Sequence, residues 1–356
     1  GLTMVYELVW IRMVGFIFGS SSQSFSVMLV TFLAGIALGG AIAQRVLRQA
    51  RSRAWLVTLF GACELGVAAA VLAMLPFYER FPFVFATART LFSPTDGGYA
   101  AMQLLQVALL GAVMLVPTTL IGLTLPLAAR VAVAGVGDVG SGVGASFASN
   151  TLGTLVGAAA TGLVFIPTVG VQASLLGAVV ASALVGGALV WIAGHRRAAV
   201  AGPLVLLAAL GVIAAGGAWN PVLMTAGYFR GKKAPASYEA MRERYAHHEL
   251  LYARDGHDST VTVVGVDGDV FPKVNGKTDI PSSARSFSSC NASVEDAVRL
   301  GADAVGYTLY VGSPRQDEDL AQLRQVRQDC DRFGMPLVVW SYPRGEAVDG
   351  KGGPNS

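Results

Sequence analysis

Long apolar runs constrain this chain more than any other feature. A helix crossing about 30 Å of hydrocarbon needs about 20 mostly apolar residues. Seven segments of about that kind can be drawn before residue 219: Gly1 to Phe18, Phe25 to Ala43, Ala54 to Pro76, Met102 to Ala129, Gly144 to Pro167, Val171 to Ala193 and Ala198 to Ala218. Only helices or closed barrels satisfy their own backbone in lipid, and runs of this length exceed the 9 to 11 residues of a barrel strand. The expectation is an all-α polytopic bundle of about seven helices over residues 1–218, with the lipid bilayer as its first partner.

Composition agrees. Hydrophobic residues make up 53% of the chain and charged residues 14%, against about 25% charged in ordinary soluble domains. Every lysine lies at or beyond Lys232, so an ordinary soluble part follows a lysine-free apolar part. The net charge of +3 is mild, and the arginines gather at helix ends rather than in a stripe that could track phosphates, which argues against nucleic acid as a partner. Cys63, Cys290 and Cys330 are too far apart for a zinc or disulfide framework, and neither a metal nor a cofactor is implied. Neither end reads as a natural terminus, and no cleavable signal peptide is recognisable, so the chain reads as a fragment.

Arg45, Arg48, Arg51 and Arg53 follow the second segment, and Arg196 and Arg197 the sixth; the positive-inside rule puts both groups in the cytoplasm. Seven crossings then put the soluble tail on the other side. The expected location is a bacterial or archaeal plasma membrane. Steps of small residues, Gly35/Gly39 and Gly153/Gly157, allow close helix packing within the bundle or in a dimer.

Charged groups inside a span cost about 2.5–3.5 kcal/mol on insertion scales and mark functional candidates. Here they are Glu7, Arg12 and Glu64. Glu7 and Arg12 can pair with each other or with groups elsewhere, or Arg12 can snorkel to an interface; Glu64 has no evident partner. Asn150, Gln103 and Gln106 suit interhelical hydrogen bonds. GVGDVG at 135–140 has the letters of a dinucleotide loop but follows a membrane helix rather than a strand, and reads as a flexible loop. His247, His248 and His257 lack metal-ligand spacing and read as solvated. Asn291-Ala292-Ser293 is a glycosylation sequon by letter only.

Past Trp219 the period shortens. LLYARDG, STVTVVGV and VFPKVNGK read as strands, with Asp255-Gly256 and Asp267-Gly268 as turns. From Ala292 the pattern alternates helix and strand: ASVEDAVRLGA, AVGYTLYVG, a polar helix from Gln316 to Phe333, then PLVVWSY. Alternation of this kind signals parallel pairing in an α/β fold.

Two resemblances divide the chain. YELVWIRMVGFIFGSS, FLAGIALGG, SNTLGTLVGAAATGLVFIPTVG, WNPVLMTAGYF and LLYARDGHDSTVTVV resemble the membrane region of spermidine synthase-like proteins over about residues 1–270. That implies a bundle preceding an aminopropyltransferase-type domain, whose glycine-rich loop and acidic residues do not follow here, and a polyamine or other small solute as partner. Residues 219–270 would then be the linker and β-hairpin that open such a domain.

KVNGKTDIPSS, NASVEDAVRLGADAVGYTLYVGSPRQDEDL and PLVVWSYPRGEAVDGKGG resemble archaeal-type class I fructose-bisphosphate aldolases, so residues 271–356 would be part of a (β/α)8 barrel. The resemblance implies Tyr342 as proton donor or acceptor and Trp340 lining the site, at the C-terminal end of a barrel strand where barrel catalysis is expected. The imine-forming lysine belongs to a later strand, beyond Ser356, and Lys351 does not take its place. The site is therefore expected to be incomplete and inactive. The resemblances meet near Asn275, Gly276 and Lys277, a string both families carry, so that mistaken assembly or recombination could have joined two genes there.

Overall fold

The computed structural model describes residues 1–49, 52–92, 96–133, 137, 139–214, 219–230, 234–266, 269–278, 293–299 and 305–343. The chain divides into two compact units, Gly1–Asp279 and Ile280–Ser356.

The first unit is mostly helical. Helix α1 (Leu2–Phe18) is followed by α2 (Ser22–Arg48) and α3 (Arg53–Met74), then by a tight turn, Leu75–Arg80, and the short α4 (Phe81–Arg89). Helix α5 spans Asp96–Ala132; α6 (Val139–Ala160) continues through a widened π turn, Thr161–Phe165, into α7 (Ile166–Ile192), and α8 covers Ala201–Ala214. The capping is local chemistry. Ser21 Oγ accepts from Ser24 N at 3.1 Å, Ser52 Oγ accepts from Trp55 N at 3.1 Å, and Arg45 and Arg48 occupy the last turn of α2, where a cation opposes the negative end of the helix dipole.

Among the described residues, four stretches are long and apolar enough to cross a membrane: Ser22–Arg48, Arg53–Arg89, Ala100–Ala132 and Val139–Ile192. The expected fifth and sixth segments are thus one helical stretch of 54 residues. It bends at Gly170, whose φ of 88° is non-helical, a region open to glycine at little cost. The expected first and last segments are shorter, at 17 and 14 residues.

Helices α2 and α5 meet backbone to backbone. A Cβ on Gly39 would lie 2.1 Å from the Thr119 carbonyl oxygen, and one on Gly122 would lie 2.4 Å from that of Ile36. The small-residue step of α2 therefore serves packing inside the chain. Tyr6, Trp10, Met13, Met28, Phe32 and Tyr78 fill the centre of the bundle, and Trp10 Nε1 donates to the Tyr78 hydroxyl at 3.0 Å.

Beyond the bundle come the short α9 (Pro221–Met224) and α10 (Tyr238–Ala246). The latter is a polar helix capped by Ser237, which accepts from Ala240 N at 3.1 Å; it falls in a stretch for which no element was expected. A four-stranded antiparallel sheet completes the unit, in the order β1 (Glu249–Asp255), β2 (Thr260–Val266), β3 (Asp269–Val274) and β4 (Lys277–Thr278). The three expected strands are all present. Asn275 and Gly276, both at positive φ (49° and 76°), turn β3 into β4, which is the conformation a two-residue type I′ hairpin demands. The Asn-Gly pair where the two resemblances meet is thus a working turn.

The second unit contains α11 (Val294–Arg299), β5 (Val305–Val311), α12 (Gln316–Phe333) and β6 (Leu337–Pro343). Strands β5 and β6 pair in parallel, Val305 opposite Leu337 through Val311 opposite Pro343. Gly334, left-handed at φ 65°, ends α12, so the chain turns back into the sheet. Val294, Tyr307, Leu309, Val326 and Cys330 form this unit's core. The helix–strand alternation read from sequence is therefore present, and it pairs as expected.

Candidate functional site

Inside the bundle, the partner that sequence could not supply for Glu64 is Ser182. The Ser182 hydroxyl lies beside the Glu64 carboxyl and accepts from the Tyr6 hydroxyl at 3.2 Å. Tyr6 and Ser182 are buried, at 1% and 0% exposure. The trio joins α1, α3 and α7. Nothing nearer than 118 residues separates Ser182 from Glu64 along the chain, as a serine on an apolar helix carries no local sign of its partner. Glu7 is half-buried, and among the described residues no ion pair joins it to Arg12. Asn150 is exposed and lines a shallow cleft with Phe60, Thr124 and Ser149. Gln106 is buried, and its Oε1 has no hydrogen-bond partner.

Arg12 points to the sheet rather than to Glu7. Its Nη2 donates to the carbonyl oxygens of Gly256 and His257 in the turn after β1. One residue before that turn, Asp255 accepts from the Thr260 hydroxyl at 2.5 Å through Oδ1 and from Val171 N at 2.8 Å through Oδ2. The bend at Gly170 leaves the Val171 amide without a helical acceptor, so Asp255 caps the second half of α7 from the sheet. Two cavities flank these contacts. One, of about 740 Å³, is lined by Gly170, Gln172, Trp219, Arg254, Asp255 and Thr260, among others. The other, of about 430 Å³, is lined by Arg12, Ser20, Ser21, Ser22, Asp258 and Asn275, among others.

On the second unit, Tyr342 and Trp340 lie near the C-terminal end of β6. Side chains alternate across a strand. Tyr307 and Leu309 face the core beneath α12, so Gly306, Thr308 and Tyr310 face the other way, and the register places Val338, Trp340 and Tyr342 beside them. The Tyr342 ring stacks on Tyr310, with centroids 5.8 Å apart and planes at 26°. The Trp340 ring covers Gly306, where a Cβ would come within 2.3 Å of it. Trp340 is 50% exposed and Tyr342 41%, so this face carries three aromatic rings, two of them phenols, with those of β6 open to solvent. Tyr310, which the sequence did not single out, is the side chain that fixes the Tyr342 ring. The signal was available in the spacing of YTLYVG, since Tyr310 sits at the end of its own strand.

The remaining candidates are quickly placed. Gly135, Val136 and Asp138 of GVGDVG lie outside the described residues, as do Asp267-Gly268, Cys290, Asn291-Ala292 and Lys351. His247 and His257 are exposed, whereas His248 packs edge-on against Tyr245 at 4.7 Å. Cys63 and Cys330 are buried, free thiols. Among the described residues, no three His, Cys, Asp or Glu side chains gather as a metal site.

With this geometry in hand, similarity to known proteins is informative for one part of the chain. Residues 267–356 match the family described as DeoC/LacD family aldolase. The chain is 45% identical over 107 residues to the class 1 fructose-bisphosphate aldolase of Thermoproteus tenax, across 28% of this chain and 40% of that enzyme. It is 46% identical over 56 residues to the 2-amino-3,7-dideoxy-D-threo-hept-6-ulosonate synthase of Halobacterium salinarum, across 16% and 21%. It is also 40% identical over 58 residues to the 2-amino-4,5-dihydroxy-6-oxo-7-(phosphonooxy)heptanoate synthase of Streptomyces griseus, across 16% and 21%. The chain thus spans at most 40% of the length of these relatives. No solved structure matches it. The family match leaves residues 1–266 untouched, so the spermidine synthase-like reading gains no support from it, and the aldolase reading of the C-terminal part is the better supported.

Proposed function

We propose that the C-terminal part of the chain is a segment of a class I aldolase-type unit acting on a phosphorylated ketose such as fructose 1,6-bisphosphate. Its match to the DeoC/LacD aldolase family over residues 267–356 carries this reading. In such a unit the parallel β5–α12–β6 arrangement contributes two neighbouring barrel strands, with α12 outside and Trp340 and Tyr342 inside. Aldol cleavage needs an imine as electron sink and a group that takes the proton from the hydroxyl beside the breaking bond. Tyr342 is the proton carrier in this proposal. Its ring is oriented by Tyr310, and Trp340 lines the pocket. The lysine that forms the imine comes from another strand.

Grafting residues 293–343 into the Thermoproteus tenax enzyme in place of its own segment tests the assignment. The graft is expected to cleave fructose 1,6-bisphosphate, and Tyr342→Phe within it to lower kcat by about 10²–10⁴, the range of a lost acid–base group. A folded graft whose turnover ignores Tyr342→Phe would remove the tyrosine from the chemistry. Borohydride reduction of the chain with dihydroxyacetone phosphate gives a second check: a labelled lysine within residues 1–356 would contradict a nucleophile supplied from elsewhere.

For the helical unit we propose residence in a lipid bilayer, supported by the four apolar helical stretches, and retention in the membrane pellet after carbonate extraction tests it. A polyamine or other small solute is the partner proposed for its polar groups, of which Glu64 with Ser182 and Tyr6 is the best organised. Spermidine binding that survives charge removal at Glu7, Arg12 and Glu64 together would rule those groups out.

A further inference from the structure

Helix α3 has 22 residues, about 33 Å at 1.5 Å per residue, and so crosses about 30 Å of hydrocarbon by itself. The helical stretch nevertheless runs on to Arg89, through the turn Leu75–Arg80 and α4, each opening on a proline, Pro76 and Pro82. This continuation lies across the end of the bundle. At its start the Leu75 carbonyl accepts from Trp219 Nε1 at 3.2 Å, and Trp219 lines the larger cavity together with Phe16 of α1. Further on, Phe85 packs edge-on against Phe18, the last residue of α1, with ring centroids 4.7 Å apart. The residues from Leu75 to Phe85 would advance about 15 Å if they kept to the axis of α3, yet both meet the same end of α1. Polar groups mark this level. Glu79 accepts from Asn220 N at 2.7 Å and from the Tyr238 hydroxyl at 2.5 Å, and Arg89 Nη1 donates to the Phe229 carbonyl at 3.4 Å. Tyr78 and Phe85 turn inward and are buried, whereas Phe77, Val84 and Leu91 are 48%, 37% and 79% exposed. These three recur at every seventh position, the spacing of one helix face.

We propose that residues 75–91 form an interfacial foot: they lie along the membrane surface, in the headgroup layer, with Phe77, Val84 and Leu91 reaching the acyl chains. The proposal rests on residence of the helical unit in a bilayer. A segment standing in water would leave three large apolar side chains bare along one face, and one inside the hydrocarbon would carry Glu79, Arg80 and Arg89 with it. The interface suits both sides of the segment. Its apolar face meets the acyl boundary, while Glu79 and Arg89 keep their hydrogen bonds to the polar loops. Arg80, exposed and 5.2 Å from the centre of the Tyr238 ring, stays among the headgroups. Trp219 and Tyr238 stand at the same level, where amphipathic aromatic rings gather. The partner is a lipid surface rather than a second protein, because the foot continues a membrane-crossing stretch without interruption and lipid already reaches its first residues.

Depth-dependent fluorescence quenching in vesicles tests this. The full chain, with Cys63, Cys290 and Cys330 replaced by alanine, receives one new cysteine at a time: Phe77→Cys, Val84→Cys or Leu91→Cys. Each is labelled with bimane and reconstituted into phosphatidylcholine. Lipids carrying a nitroxide near the ester or near the methyl end of the chain report depth, and iodide reports contact with water. Leu152→Cys, on the exposed side of α6, and His247→Cys, exposed after α10, are the references. The three foot labels are expected about 5–10 Å into the boundary between headgroups and acyl chains, the Leu152→Cys label deeper, and the His247→Cys label within reach of iodide alone. Foot labels reached by iodide alone, or lying as deep as Leu152→Cys, overturn the proposal and leave bilayer residence standing. A Leu152→Cys label that no lipid-borne quencher reaches removes bilayer residence itself, and the foot with it.

Discussion

Ser182 shows how one small side chain can bring polar groups of separate helices together. Its hydroxyl accepts from Tyr6 and stands beside the Glu64 carboxyl, so the buried Tyr6 hydroxyl is not left bare between helices. Ser182→Ala is expected to cost about 1–3 kcal/mol, the penalty of orphaning buried polar atoms, read as a lower unfolding temperature in detergent. Glu64→Gln, which keeps an acceptor, is expected to cost less. Asp319 presents the opposite case. It is buried, and its Oδ2 has no partner. Burial raises its carboxyl above the ordinary aspartate range, against the lowering effect of Arg315. Because the folded state then holds its proton more tightly than the unfolded state, stability contributed by Asp319 is present below the ordinary aspartate range and is lost as pH rises through the raised value. Asp319→Asn is expected to flatten the acid side of the stability profile of the second unit and to make that unit more stable at neutral pH, measured by chemical denaturation across pH. An unchanged profile would show that Asp319 does not titrate differently on folding.

At the scale of elements, the contact of α2 with α5 depends on the absence of side chains. Gly39→Leu is expected to force the two helices apart, since even a Cβ meets the Thr119 carbonyl oxygen, and to lower stability by several kcal/mol, as overpacking with no room to yield does. A thermal shift of the detergent-solubilised chain measures it. Element positions were the most legible part of the sequence, because apolar length and strand alternation are local properties. The boundary placed between Pro167 and Val171 fell on the real bend, but its continuity was not legible. A helix that bends at Gly170 and one that ends there have the same letters, and the choice is made by Asp255, which receives the freed Val171 amide from 84 residues away. Helix α10 was missed for a different reason: nine residues with a polar surface carry little periodic signal, and Ser237 at its cap was its best mark. The site residues followed the same division. Tyr342 and Trp340 could be named from a motif, whereas Ser182, Tyr6 and Tyr310 are defined only by what lies across from them.

For the molecule as a whole, the boundary between units at Asp279 and Ile280 lies within a few residues of the place where the two sequence resemblances meet. Residues 1–279 are therefore expected to insert and to resist carbonate extraction when expressed alone, and failure to do so would mean that the helical unit depends on the aldolase-like part. Long single-molecule reads of the source DNA across codons 260–295 address the origin of the joint itself. Within the first unit, the bond from Arg12 to the Gly256 carbonyl closes a span of 244 residues. Its consequence concerns synthesis. The ribosome releases α1 well before β1, with a guanidinium whose carbonyl acceptors will not exist until almost the entire unit has been made, and an arginine in a bilayer in the meantime costs about 2.5–3.5 kcal/mol on insertion scales. Arg12 is therefore expected to reach its final hydrogen bonds only once the β1–β2 turn has been made, and chains cut short before Gly256 are expected to hold α1 less firmly.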